Sequence, residues 1–237
     1  MRAVLIALAL LGLAIAPPAL ADGQFSGSLG ATTDYILRGV SQTYGGGAVQ
    51  LGGSYQNSQG WFLGAWGSNV DPYPSGVASV ELDLYAGYSH AFSPDVTGRI
   101  VVTRYTYVDD PRRFHYDYNE IAATLAYVDR LALTVSYSPE NTAYSKLGFA
   151  QDKPTASIEA TSRWPIVGRL AVSGGIGYYD LKREFGVRYW AGSLGLAFVH
   201  RRLEIDLARY FSDHTVARLY EDASADGEVV LSGIVRF

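Results

Sequence analysis

The residues best suited to chemistry are charged and recur at every second position. Glu81 and Asp83 form one such pair and Glu204 and Asp206 another, with Glu159 and Arg163 at the same parity four residues apart. Paired carboxylates can serve acid/base chemistry or hold Ca²⁺, but i, i+2 spacing only places both on one face of a strand. The four histidines, His90, His115, His200 and His214, show no metal-ligand spacing such as His-x-x-x-His. With no cysteine, disulfides, thiolate nucleophiles and cysteine-bound metals are excluded. The glycines at 45 to 47 lack the strand-then-helix setting of a phosphate cradle. No cofactor is implied.

The elements that carry these charges are strands with one polar and one apolar face. From Phe25, one face reads Phe25, Leu29, Ala31, Thr33, Tyr35, Leu37, and the other Ser26, Ser28, Gly30, Thr32, Asp34, Arg38. The period returns from Val80 to Tyr88, from Leu131 to Tyr137, from Ile158 to Trp164, from Leu170 to Tyr178, from Trp190 to Phe198, from Leu203 to Leu207 and from Val229 to Phe237. Weaker segments near 47–56, 61–69, 96–107 and 116–127 bring the count to about twelve, with the parity at 61–69 and 96–107 ambiguous. Connections alternate between short, as at Asn57-Gly60 or Phe92-Asp95, and long, as at 38–46, 139–153 and 212–226.

Residues 1–21 read as a signal peptide: Arg2, an apolar run from Ala3 to Ala16, and a small-residue site at Ala19-Leu20-Ala21. Cleavage predicts a mature chain of 22–237 that begins at Asp22. Losing Arg2 leaves 18 basic against 23 acidic residues, a formal charge of −5, which lacks the electrostatic footprint of a nucleic-acid binder. After the signal no run of about 18 apolar residues remains for a membrane helix. Long alternating strands, 26 glycines and 18 tyrosines instead predict an all-β fold. The architecture expected is a transmembrane antiparallel up-and-down barrel in the outer membrane, with both termini periplasmic. Strands of ten or more residues favour it over a soluble β-sandwich, which would also alternate.

This frame assigns the polar face to the lumen, because a basic group facing lipid at mid-membrane costs roughly 2–4 kcal/mol. Asp34, Arg38, Glu81, Asp83, Glu120, Glu159, Arg163, Glu204, Asp206 and Arg236 are therefore predicted to line a pore. Aromatics at the strand ends predict two interfacial girdles against outer-membrane lipid: Phe25, Tyr55, Tyr88, Tyr127, Trp164, Phe198 and Phe237 at one end, Tyr35, Tyr137, Tyr178 and Trp190 at the other. Three function classes follow. They are a channel for small solutes or ions, a structural or adhesive barrel with a plugged lumen, and, more remotely, an outer-membrane lipid hydrolase. No Ser-His trio stands out for the last.

Thr32-Thr-Asp-Tyr-Ile-Leu-Arg-Gly-Val-Ser-Gln42 resembles the opening motif of the TorF family of porin-like proteins of Gram-negative bacteria. Gly60-Trp-Phe-Leu-Gly-Ala-Trp-Gly-Ser-Asn-Val-Asp71 and Glu81-Leu-Asp-Leu-Tyr-Ala-Gly-Tyr88 are similar to its next stretches, in the same order. Tyr105-Thr-Tyr107 and Tyr137-Ser-Pro139 are fainter matches, and Val108-Asp-Asp-Pro111 departs from the Pro-Gly that the family tends to place there. The resemblance implies an outer-membrane barrel with a channel role and carries over no site residue. The terminal Phe237, on an alternating strand, also resembles the signal read by the barrel-assembly machinery.

Overall fold

The computed structural model describes residues 23–71, 79–108, 117–128, 130–145, 148–220 and 223–237. The proposed signal peptide and His115 lie outside them. Twelve strands close into one antiparallel barrel. In chain order they are β1 (Gln24–Thr32), β4 (Ala48–Gln56), β5 (Trp61–Val70), β6 (Ser79–Ala91), β7 (Val96–Val108), β8 (Tyr118–Tyr127), β9 (Leu131–Ser145), β10 (Gly148–Val167), β11 (Leu170–Leu181), β12 (Val187–His200), β13 (Leu203–Ser212) and β14 (Val229–Arg236). Each pairs with its sequence neighbour, and β1 closes the ring against β14 over Ser28↔Arg236 to Thr32↔Ser232. At the end of that seam Gly27 and Phe237 exchange backbone hydrogen bonds of 2.6 and 2.9 Å, and the Phe237 ring occupies the space a Cβ on Gly27 would fill.

Leu29, Leu51, Leu63, Leu84, Ile100, Leu133, Ile176, Leu194 and Leu231 all point away from the lumen and are exposed. A contiguous apolar outer face is unstable in water and stable in hydrocarbon. Aromatics pair across neighbouring strands at both rims. Phe25–Tyr55 and Trp61–Tyr88, with ring centroids 4.9 and 5.0 Å apart, lie at the end of the short turns, and Tyr178–Trp190, 4.6 Å apart, at the other.

Two sequence expectations need correction. The alternation read through to Leu37 stops being wall at Thr32. Beyond it the chain folds into the lumen as a hairpin of β2 (Ile36–Leu37) and β3 (Val40–Ser41). Tyr35 accordingly is no interfacial aromatic. It is buried inside the barrel edge-on to Trp66, 5.6 Å between centroids, with Ala48 and Val70 beside it. The second correction concerns 139–153, read as a long loop. β9 and β10 run on through it to Ser145 and from Gly148, with register shifts between Ala150 and Thr155 absorbing the irregularity.

Two short helices sit at the hairpin's end of the barrel. They are α1 (Lys182–Phe185) and α2 (His214–Leu219), the latter capped by Asp213, whose carboxylate accepts from Thr215 N. Val216 and Leu219 of α2 are fully buried against Tyr179, Leu181, Tyr189 and Ala191 on the lumen side of β11 and β12.

Candidate functional site

The hairpin is the central feature of the lumen. Arg38 and Gly39 at its tip have φ of +53° and +80°, the pairing a two-residue turn between antiparallel strands requires. Glycine fits that role, and here it must be glycine: a Cβ on Gly39 would stand 2.5 Å from that of Ala191. Arginine in the left-handed region is strained, at a cost of order 1 kcal/mol, and such strain persists where the surroundings hold it. They do. Arg38 Nη2 donates to Glu120 Oε2 at 2.7 Å, Nε lies 3.5 Å from Glu159 Oε1, and the guanidinium sits 6.0 Å from the Tyr179 ring centre. Tyr189 Oη donates to the Arg38 carbonyl at 3.2 Å. The tip is thus tied to β8, β10, β11 and β12.

The base of the hairpin is organised by Asp34. Ser41 Oγ donates to its Oδ1 at 2.6 Å, and Thr43 Oγ1 lies 2.8 Å from the same oxygen. The second inward segment, described at 213–220 and 223–228, leans on the first. Ala225 N donates to the Gly39 carbonyl at 3.0 Å, Val40 and Ser224 form a bridge, and Ala225 and Ile36 are buried together with Val230. Both segments flank the β1–β14 seam, one following β1 and the other preceding β14, so they meet across it.

Below the hairpin a cavity of about 210 Å³ remains. One side is edged by Asp34, Arg38 and Glu159, the other by Arg163, Glu204, Asp206 and Arg236. Glu204 accepts from both Arg163 and Arg236, the latter at 2.9 Å, and Ser173 Oγ donates to Asp206 Oδ2 at 2.8 Å. The wall between them is made of small residues, including Gly30, Thr161, Gly175, Gly177 and Ser193.

The opposite part of the lumen carries large side chains. Phe62, Trp66, Tyr105 and Tyr118 point inward and are buried, Tyr105 and Tyr118 stacking with centroids 4.3 Å apart. Arg99 sits with its guanidinium 3.9 Å from the Phe62 ring centre. Glu81 and Asp83 are wholly buried among these groups.

All ten charged residues expected to line the lumen lie inside the barrel, but in three settings. Asp34 and Arg38 belong to the inserted hairpin, Glu159, Arg163, Glu204, Asp206 and Arg236 edge the cavity, and Glu81 and Asp83 lie on the side with the large side chains, with Glu120 reached by Arg38. Sequence reasoning missed Arg99. Its strand has apolar residues on both faces, Ile100 and Val102 outside and Val101 and Tyr105 inside, and puts Arg104 on the face opposite Arg99, so parity alone could not orient it. Among the described residues no group of three or more His, Asp or Glu is placed to hold a metal ion.

Comparison with known proteins adds a family and a fold. A family model described as a bacterial protein of unknown function (Gcw_chp) matches residues 18–229. No curated protein matches in sequence. Among solved structures, a KdgM porin superposes with a TM-score of 0.51 at 9% identity, covering 90% of this chain and 98% of that one. A NanC porin does so at 0.54 and 10%, with the same coverages.

Proposed function

The chain belongs to the Gcw_chp family of bacterial proteins, and from its geometry we propose that it is a porin-like channel of the outer membrane, passing small solutes or ions by diffusion. The observation that carries this reading is the cavity of about 210 Å³, edged by carboxylates and guanidiniums, inside a barrel whose outer face is apolar. The porin fold of the two superposed structures and the TorF resemblance point the same way. In this reading the end with the short turns and both termini faces the periplasm, the hairpin forms the constriction, and outer-membrane lipid covers the aromatic rims. Residues 1–21 are removed on export, so the mature protein begins Asp-Gly-Gln. Phe237, at the seam, serves the assembly machinery, and its deletion lowers the heat-modifiable folded fraction on gels without lowering synthesis.

Liposome swelling tests the proposal. Refolded protein is expected to admit a pentose or hexose, and planar bilayers to show conductance in KCl. The competing reading is a plugged structural barrel, favoured by the interlocking of the hairpin with Ser224 and Ala225 inside the barrel. An absence of both swelling and conductance decides for it.

A further inference from the structure

Resting on the channel reading, we infer that the cavity below the hairpin takes small solutes that carry a primary ammonium group, with Asp34 as the residue that contacts and selects them. Asp34 is 6% exposed and borders the cavity. Its Oδ1 is occupied by the hydroxyls of Ser41 and Thr43. Its Oδ2 is buried with no hydrogen-bond partner among the described residues. A buried carboxylate oxygen left unmet is costly unless a donor arrives, and Asp34 is one of the residues that border the cavity.

The other groups around the cavity narrow what that donor is. Arg38 is committed to Glu120 and Glu159, and Arg163 and Arg236 both to Glu204. Asp206 is met by the Ser173 hydroxyl alone among its hydrogen bonds. The edge therefore carries Asp34, Glu159, Glu204 and Asp206 against Arg38, Arg163 and Arg236, four negative and three positive charges. An anion entering would find each guanidinium already facing a carboxylate. A neutral hydroxyl could donate to Asp34 but would leave the charge uncompensated. An ammonium brings compact positive charge and three donors, enough for Asp34 Oδ2 with others left for hydroxyls of the wall. Trp66 and Tyr179 also border the cavity, and aromatic side chains tolerate a cation beside them. The volume of about 210 Å³ restricts the solute to a short chain or one small ring.

The decisive measurement compares two cations of like charge, one with N–H donors and one without. Under bi-ionic conditions in planar bilayers, reversal potentials with ethanolammonium chloride and with choline chloride against KCl yield their permeability ratio. Wild type is expected to favour ethanolammonium by about threefold or more, beyond what mobility in water provides, because both cations carry the same hydroxyl but only ethanolammonium has N–H donors at its charge. Asp34→Asn preserves Oδ1 for Ser41 and Thr43 and should bring the ratio towards one. Asp206→Asn, in the wall and independent of the hairpin, should lower it less. A wild-type ratio near one, or a preference that survives Asp34→Asn, overturns the inference. If wild type conducts no KCl, the channel reading fails by itself, and calorimetric titration of the detergent-folded protein still tests the site. Heat from ethanolammonium, absent with choline and lost in Asp34→Asn, sustains it, and no heat or equal heats overturn it.

Discussion

The lumen has two unlike sides, and the difference between them is one of residue size more than of charge. Along β5 to β8 the inward positions hold Phe62, Trp66, Tyr85, Arg99, Tyr105 and Tyr118, large side chains of which Phe62 packs against Tyr85 and Arg99 and Tyr105 against Tyr118, and Glu81 and Asp83 are fully buried on this side. Along β10 to β14 and β1 they hold Thr161, Ser173, Gly175, Gly177, Ser193 and Gly30, and there the cavity lies. Acidic groups occur on both sides. An inward acid is therefore not a pore acid unless its neighbours are small. The hairpin fits the same division: its Tyr35 side packs into the aromatic mass against Trp66, while Asp34 and Arg38 border the open space.

The strongest test of this division fills the empty side. Ser193→Trp puts an indole into the cavity and is expected to reduce hexose swelling by roughly tenfold or more if the cavity is the path, since a constriction's width sets permeation. Unchanged swelling would place the path elsewhere. Next comes the tie between the two sides. Arg38→Ala leaves Glu120 and Glu159 buried without their cation, and breaking a buried pair from one side costs about 3–5 kcal/mol. Hydrogen exchange at residues 36–41 should rise sharply while the wall strands stay protected, and retained protection would show that Asp34, Ser224 and Ala225 hold the hairpin unaided.

A smaller contrast separates acids by side. Asp206→Asn should shift the reversal potential in a KCl gradient towards anions, an effect that shrinks at high salt as screening grows. Glu81→Gln with Asp83→Asn should leave it nearly unchanged, because those carboxyls do not border the cavity. Equal shifts would dissolve the distinction. The smallest effect concerns Glu184 in α1, outside the strands. Its carboxyl oxygens are buried without a hydrogen-bond partner among the described residues, and burial pushes its pKa up to about 7. The folded state therefore prefers the neutral acid. Packing stability from this group is full below the ordinary glutamate range and is lost as pH rises through about 7. Proteolysis around α1 should be slower at pH 5 than at pH 8, and Glu184→Gln should flatten the difference.

Alternation was enough to read the barrel, because the two faces of a membrane strand meet two different solvents. Twelve strands, the outward Leu133 and Leu194, the inward Glu159 and Glu204 and the rim pair Tyr178–Trp190 all follow from period-two chemistry acting locally. The TDYILRGVSQ stretch defeated that logic. Asp34, Tyr35 and Arg38 continue the alternation of β1, and nothing within the segment says that the wall ends at Thr32. The partners that pull it inward are Glu120, Glu159, Trp66, Ala191 and Ala225, between 31 and 186 positions away from the residues they meet. Residue types alone told which groups avoid lipid. Only closure of the ring, by bringing distant strands to face one another across a lumen, decided which of those groups fill it, which tie the hairpin down and which are left facing open space.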